Sequence, residues 1–157
     1  MVKKYYTAYG SNLNVRQMME RCPNAEIVGT SEIPNYELLF KGSKTGSYLT
    51  IEPQVGSIVP VAVWNIGATD EVSLDRYEGF PTFYYKTEME LSIKDIKSRK
   101  IKNRTTFVYI MHEDRSFGIP SRYYVETCLE GYQNFGFDKN ILFQALKNSR
   151  RNYYEGK

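Results

Sequence analysis

Residues that favour turns interrupt the segment from Ala25 to Gly67 again and again. The interruptions are Gly29, Pro34, Gly42, Gly46, Pro53, Gly56 and Gly67. Between them, three runs are rich in apolar, β-branched or aromatic residues, namely Tyr36–Lys41, Ser47–Glu52 and Ile58–Ile66. Short runs of this composition between turn residues are typical of β-strands. We therefore predict that the middle of the chain folds as sheet.

Helical patterns lie on either side of this segment. Lys3–Ala8 reads as a short strand and is followed by a glycine-containing loop. The helix predicted after the loop has apolar residues at i, i+3, i+4 and i+7, namely Val15, Met18, Met19 and Cys22. Further helices are predicted between Gly67 and Gly79, over Arg122–Phe135 and over Lys139–Arg150.

The clearest strand signal lies between Tyr85 and Lys94. Apolar and polar side chains alternate there, which predicts a strand with one face in water. Thr105–Met111 is apolar on both faces, so we expect it to pair with this strand in a central position. The run from Lys94 to Arg104 holds six cations against Asp95. We interpret this basic run as the connecting turn rather than as a nucleic-acid surface.

Length and composition limit the architecture to one domain. The chain has 157 residues, 41% of them hydrophobic and 25% charged, with a net charge of +3. A chain of this length buries a sufficient core without disulfides or a structural metal. The sequence predicts about six short strands in addition to the helices. The exposed edges of such strands must be paired or covered, and closure into a barrel does this. We therefore predict an α+β fold, a small mixed β-barrel flanked by helices, as a single domain over residues 1–157.

Several classes of protein are excluded by what the sequence lacks. It has no apolar stretch of the roughly 20 residues that span a membrane, and no signal-peptide hydrophobic region, so we expect a cytoplasmic protein with no membrane partner. Cys22 and Cys128 belong to no CxxC motif and the chain has one histidine, which favours reduced core cysteines and no metal. No nucleotide-binding glycine motif is present, and no cofactor is expected.

The loop Tyr9-Gly10-Ser11-Asn12 is the first candidate for chemistry. It lies between a predicted strand and the N-terminus of a predicted helix, where backbone N–H groups are unpaired and the helix dipole favours negative charge. A carboxylate or a developing oxyanion would bind well there. The alternative is a plain capping turn, with Gly10 at the bend and Ser11, Asn12 or Asn14 as the cap.

Glu78, at the end of the predicted helix before Gly79, is the second candidate. It follows Leu74 by four residues and so shares that residue's face. Burial beside Tyr77 and Phe80 would raise the pKa of this carboxyl group, as a general base near neutral pH requires. The alternative is a solvated glutamate at a helix C-terminus. The single histidine, His112, lies in a polar stretch, and we do not favour it as a catalytic residue.

Taken together, these segments resemble the γ-glutamylcyclotransferase-like family, which includes AIG2-like and BtrG-like proteins. The resemblance spans about residues 4–137. Its motifs here are Tyr9-Gly10-Ser11-Asn12-Leu13, Leu74-Asp75 with Glu78-Gly79, and the strand tyrosine Tyr109. It implies a small mixed barrel and an enzyme that releases 5-oxoproline from a γ-glutamyl amide, by attack of the glutamyl α-amine on its own γ-carbonyl.

The same resemblance implies roles for individual residues. Glu78 would be the catalytic acid–base residue, and the loop from Tyr9 to Leu13 would hold the glutamyl group of a small-molecule γ-glutamyl substrate. Tyr109 would line the pocket, and Asp75 would cap or orient the loop. Asn12 departs from the YGSL-type loop of the glutathione-degrading branch, which disfavours that branch.

A second reading from a different class is a non-catalytic barrel. Such a protein would use the same cavity to bind a small carboxylated ligand or a protein partner. The leaving amine stays open between an α-amino acid, the ε-amine of lysine and other amines. A homodimer also stays open at this stage.

Overall fold

Strands and helices follow one another in the predicted order. The structure, a computed structural model, describes residues 3–43 and 46–156. A 3₁₀ turn at Ser11–Leu13 lies between β1 and α1. The elements are β1 Lys4–Ala8, α1 Val15–Arg21, β2 Glu26–Ser43, β3 Gly46–Ile66, α2 Ala68–Glu78, β4 Tyr84–Asp95, β5 Ile101–Met111, β6 Ser116–Phe117, α3 Arg122–Phe135 and α4 Lys139–Tyr154.

Five of the strands close into a barrel in the order β3, β1, β5, β4, β2 and back to β3. The short strand β6 adds to β2 outside the ring. The β1–β5 pairing is parallel and the others are antiparallel, so the barrel is mixed. The predicted α+β barrel flanked by helices is confirmed. β5 lies between β1 and β4, the central position predicted for Thr105–Met111.

The sheet in the middle of the chain differs from the prediction in strand length. Instead of three short strands, β2 and β3 form one long antiparallel hairpin. Its register shifts between Ile27 and Gly29 and between Pro34 and Tyr36, yet pairing resumes after each shift. At the first shift one extra residue, Val28, bulges from β2, and at the second Asn35 of β2 lies opposite residues 54–57 of β3. The turn residues therefore bend the strands without ending them, because the ladder continues beyond each irregularity.

Glycine permits the closure of the barrel where β2 meets the end of β4. Gly29 pairs with Asp95, and a Cβ at position 29 would lie 2.0 Å from the carbonyl oxygen of Lys94. Asp95 accepts the backbone N–H groups of Lys97 and Ser98 at 2.9 and 2.8 Å, which fixes the tight turn into β5. The predicted basic turn is therefore confirmed at its centre, and its two ends extend β4 and β5.

The core fills the barrel and the space under the helices. Both cysteines are free and buried, as predicted. The side chains of Asn14, Ser121 and Asp138 accept backbone N–H groups at the starts of α1, α3 and α4. Among the largest fully buried side chains are Trp64, Tyr132, Phe40, Leu13, Met18 and Leu74.

Helix α3 packs directly against the loop that follows β1. A Cβ at Gly131 would lie 2.6 Å from the Leu13 Cβ and 2.7 Å from the Asn14 nitrogen. The Asn14 side chain donates to the Thr127 carbonyl at 3.1 Å, and the Val15 N–H donates to the Asn134 side chain at 2.9 Å. The absence of a side chain at position 131 thus lets α3 support this loop.

We expect Gly131→Ala to lower the free energy of unfolding by about 1–2 kcal/mol. Overpacking a core typically lowers stability by about 1–3 kcal/mol, and the better helix propensity of alanine offsets part of this loss. Equilibrium unfolding in urea, followed by circular dichroism, measures the change. A variant as stable as the parent, or more stable, would show that the contact between α3 and the loop is not tight.

Candidate active site

The loop after β1 and the end of α2 meet at a narrow cavity of about 30 Å³. Ser11, Glu78, Tyr84 and Tyr124 also border a wider cleft of about 300 Å³. The predicted residues Tyr9, Gly10, Ser11, Asn12, Glu78 and Tyr109 all line the narrow cavity. Residues 69 positions apart in the sequence, from Tyr9 to Glu78, therefore share one site.

The loop from Gly10 to Asn12 presents backbone donors to this cavity. Among the described residues, no hydrogen-bond acceptor is found for the N–H groups of Gly10, Ser11 or Asn12. The side chain that caps α1 is Asn14, which accepts the Gln17 N–H at 3.1 Å. Ser11 and Asn12 do not cap that helix, because their side chains bind Tyr77 and Tyr6. The capping alternative is therefore confirmed at Asn14, and the anion-binding role of the loop stays a prediction that the N–H groups without a described acceptor leave open.

Leu13 is not among the described residues that line the cavity, and its predicted binding role stays a prediction. Its side chain is 0% exposed and packs against Gly131 of α3. Its N–H donates to the Gly10 carbonyl at 3.0 Å and is not available to a ligand. Leu13 continues the motif in sequence, but the 3₁₀ turn directs it into the core.

Glu78 is the acid at this site. It is half-buried, and no hydrogen bond or ion pair joins its carboxylate to another described residue. Burial raises the pKa of Glu78 to about 8, against a smaller lowering by the charge of Arg21. A carboxyl group with this pKa exchanges a proton near neutral pH, which suits general acid–base chemistry.

Five tyrosines surround the cavity, and three of them donate their hydroxyl protons to protein acceptors. Tyr9 donates to the Tyr109 carbonyl at 2.6 Å and Tyr84 to the Leu49 carbonyl at 2.7 Å. Tyr109 donates to the Asp75 carboxylate at 2.6 Å. The other two are Tyr6 and Tyr124, whose hydroxyls accept hydrogen bonds from Asn12 and from the Leu49 N–H.

Asp75 has a different role from the capping one that the resemblance implied. Its carboxylate accepts the Tyr109 hydroxyl and forms an ion pair with Lys86 at 2.8 Å. Lys86 also pairs with Glu71 at 2.7 Å and lies 4.3 Å from the centre of the Phe80 ring. Burial, and then the bond to Asp75, raise the pKa of Tyr109. Asp75 therefore holds a protonated Tyr109 in place at the cavity wall.

Arg21 is a site residue that the sequence did not indicate. Its guanidinium hydrogen-bonds the Asn12 side chain and stacks 3.5 Å from the centre of the Tyr77 ring. Tyr77 in turn shares a hydrogen bond of 2.8 Å with Ser11. A basic residue in the last turn of a helix is common, because the helix dipole stabilises a cation there. Its presence in the sequence therefore does not mark a functional site.

Other kinds of site are not found in the part of the chain that the structure describes. His112 lies away from the cavity, with its Nε2 2.8 Å from the Pro81 carbonyl oxygen. In residues 3–43 and 46–156, no three His, Cys, Asp or Glu side chains are grouped as metal ligands. Within the same ranges, no helix combines the length and apolar character needed to cross a membrane.

Known proteins of one family are similar to this chain in sequence. The sequence profile of the family described as "Gamma-glutamyl cyclotransferase, AIG2-like" matches residues 6–126. The mouse protein named "Gamma-glutamylcyclotransferase" is 28% identical over 97% of this chain and 81% of its own length. The bovine protein of the same name is 29% identical over the same shares.

Solved structures show the same fold. One named "Gamma-glutamyl cyclotransferase" has a TM-score of 0.76 at 23% identity, covering 95% of this chain and 87% of its own. A mouse AIG2-like protein has a TM-score of 0.57 at 16% identity, covering 80% and 84%. The chain belongs to the γ-glutamyl cyclotransferase, AIG2-like family and is an enzyme of that family.

The raised pKa of Glu78 makes a prediction about stability. Between about pH 4.3, where an unfolded glutamate ionises, and pH 8, the folded protein keeps a proton that the unfolded chain releases. The parent should therefore lose stability with rising pH by at most about 1.4 kcal/mol per pH unit from this group. Glu78→Gln removes the effect, so its stability relative to the parent should rise from pH 5 to pH 8 and then level off.

Thermal or urea unfolding at pH 5, 7 and 9 measures this difference. Glu90→Gln is the matched control, because Glu90 is an exposed glutamate on β4 and does not line the cavity. The control should show no pH-dependent gain. A constant difference between Glu78→Gln and the parent across this range would show that the pKa of Glu78 is ordinary.

Proposed function

We propose that this enzyme is a γ-glutamyl-amide cyclotransferase that releases 5-oxoproline and a free amine. The observation that carries the proposal is the Glu78 carboxyl group, which has a pKa near 8 and no hydrogen-bond partner among the described residues. It lines the same cavity as Gly10, Ser11 and Asn12, whose backbone N–H groups have no described acceptor. Those groups suit the two needs of the reaction, a proton acceptor and an anchor for negative charge.

The loop would hold the glutamyl group. The N–H groups of Gly10, Ser11 and Asn12 would bind the α-carboxylate of the substrate, since converging backbone donors make a concave anion site. The phenol rings around the cavity would exclude water from the reacting atoms. In this pose the α-amine and the γ-carbonyl of the substrate both lie beside Glu78.

The reaction would need no water and no cofactor. Glu78 takes a proton from the α-ammonium group, and the freed amine attacks the γ-carbonyl carbon. A C–N bond forms in the five-membered ring, Glu78 returns the proton to the departing nitrogen, and the amide C–N bond breaks. The second proton of the ammonium group passes to the released amine through solvent, so the balance is one γ-glutamyl amide to 5-oxoproline and one protonated amine.

Most of the rate acceleration would come from holding the α-amine of the substrate close to its γ-carbonyl carbon. Intramolecular reactions of well-oriented groups gain effective molarities of about 10⁵–10⁸ M. A positioned acid–base group typically adds about 10²–10⁴ in rate. These two contributions need one carboxyl group and a shaped cavity.

A non-catalytic barrel is less consistent with the site. With a pKa near 8, the Glu78 carboxyl group can both accept and return a proton near neutral pH. It has no hydrogen-bond or ion-pair partner among the described residues that would give it a structural role. The raised pKa has a use in proton transfer and none in binding alone.

We expect Glu78→Gln to fold, to bind 5-oxoproline, and to lower kcat by about 10²–10⁴-fold. In the parent, kcat/KM should rise with pH to a plateau, and the midpoint of that rise should lie near pH 8 because the base must be ionised. Measurement of 5-oxoproline release from γ-glutamyl amides tests both points, with Glu90→Gln as the control that keeps the parent's rate. Full activity of Glu78→Gln would overturn the mechanism.

Arg21→Met should move the same pH midpoint upward. The guanidinium is the cation that lowers the pKa of Glu78, so its loss favours the protonated carboxyl group. Arg16→Met is the matched control, since Arg16 lies on the same helix and pairs with the exposed Glu130. The midpoint does not depend on how much of each variant is folded. An unchanged midpoint would show that Arg21 does not act on Glu78.

A further inference from the structure

We propose that the wide cleft beside Glu78 binds the leaving amine through a large apolar or aromatic side chain. The preferred substrates would then be γ-glutamyl conjugates of amino acids with such side chains. This inference rests on the proposed cyclotransferase reaction and names the part of the substrate that the family resemblance left open.

The position of the cleft follows from the reaction. Glu78 must touch both the attacking and the departing nitrogen, and it borders both the narrow cavity and the wide cleft. If the glutamyl group lies against the loop after β1, the departing amine extends past Glu78 into the cleft. At about 300 Å³, the cleft has the volume of a small ligand pocket.

Aromatic rings form most of the cleft wall, and they hold one another in place. The Tyr48 ring lies 6.3 Å from that of Phe83 and 5.2 Å from that of Tyr124, both nearly perpendicular. The Phe83 ring lies 5.3 Å from the Tyr84 ring. Edge-to-face contacts of this kind fix a surface before a ligand arrives. A preformed wall of rings favours a flat or bulky apolar group.

Three of the four phenol hydroxyls at the cleft, those of Tyr77, Tyr84 and Tyr124, are hydrogen-bonded to other protein groups. Tyr84 donates to the Leu49 carbonyl, and Tyr124 accepts the Leu49 N–H at 3.0 Å. The Tyr77 hydroxyl is bound to Ser11. Tyr48 is 38% exposed and Tyr77 is 44% exposed, so aromatic surface faces solvent at the mouth of the site. Such surface marks a place where apolar groups bind.

The charges of the cleft fit an amino acid better than a polyamine. Arg76 lines it two residues before Glu78, and no ion pair joins Arg76 to another described residue. A carboxylate on the leaving amine would find its partner there. Apart from Glu78, no acid among the described residues lines the cleft to receive a second ammonium group.

A substrate series tests the inference. We would compare kcat/KM for 5-oxoproline release from γ-glutamyl-glycine, γ-glutamyl-leucine, γ-glutamyl-phenylalanine and ε-(γ-glutamyl)-lysine. The phenylalanine conjugate should exceed the glycine conjugate by about tenfold or more, because filling an apolar subsite typically discriminates by that factor. The leucine conjugate should lie between them.

Variants of Tyr48 test the wall itself. Tyr48→Ala should lower the ratio of kcat/KM between the phenylalanine and glycine conjugates by about three- to tenfold, and Tyr48→Phe should keep it, since the ring and not the hydroxyl makes the contact. A ratio within one variant does not depend on the folded fraction. Tyr154→Ala, at a tyrosine that is 70% exposed on α4, is the matched control and should leave the ratio unchanged.

The outcomes separate this inference from the proposed function. Release of 5-oxoproline with the glycine or lysine conjugate turned over as well as the phenylalanine conjugate would overturn the apolar subsite and leave the cyclotransferase intact. An unchanged ratio in Tyr48→Ala would do the same. Absence of 5-oxoproline with every conjugate would overturn the reaction itself.

Discussion

The chemistry of the site depends on phenol protons that are bound elsewhere. Tyr9, Tyr84 and Tyr109 surround Glu78, yet each donates its hydroxyl proton to a carbonyl or to Asp75. A hydrogen bond donated to Glu78 would favour the ionised form and lower its pKa. No described residue donates a hydrogen bond to Glu78, so burial dominates and raises the pKa of Glu78 to about 8.

The barrel makes this arrangement by bringing distant elements to one place. Tyr84 comes from β4 and Tyr109 from β5, while α3 supports the loop after β1 from outside the ring. Two glycines allow the close approaches involved, Gly29 where β2 meets β4 and Gly131 where α3 meets the loop. The abundance of tyrosine thus has a structural purpose, since rings fill the wall and hydroxyls tie it to the backbone.

Local patterns predicted most of the fold. The strand, loop and helix at the N-terminus, the helix that ends at Gly79, and the pairing of β4 with β5 were all readable, because each depends on periodicity or capping within a short window. The lengths of β2 and β3 could not be predicted from the sequence. A glycine or proline marks a local bend, but whether pairing resumes beyond it depends on the partner strand.

Two candidate segments, the Tyr9–Asn12 loop and Glu78, could be predicted from their residue types and neighbours, because a strand-to-helix loop and a carboxyl group beside aromatic residues are recognisable in a short window. The closed barrel was needed to show that Leu13 packs into the core, that Asp75 binds Tyr109, and that Arg21 hydrogen-bonds Asn12 and stacks on Tyr77. Such contacts join residues from separate elements, and no spacing in the chain encodes them. A pKa set by burial is likewise a property of the closed barrel, since burial exists only once the strands have met.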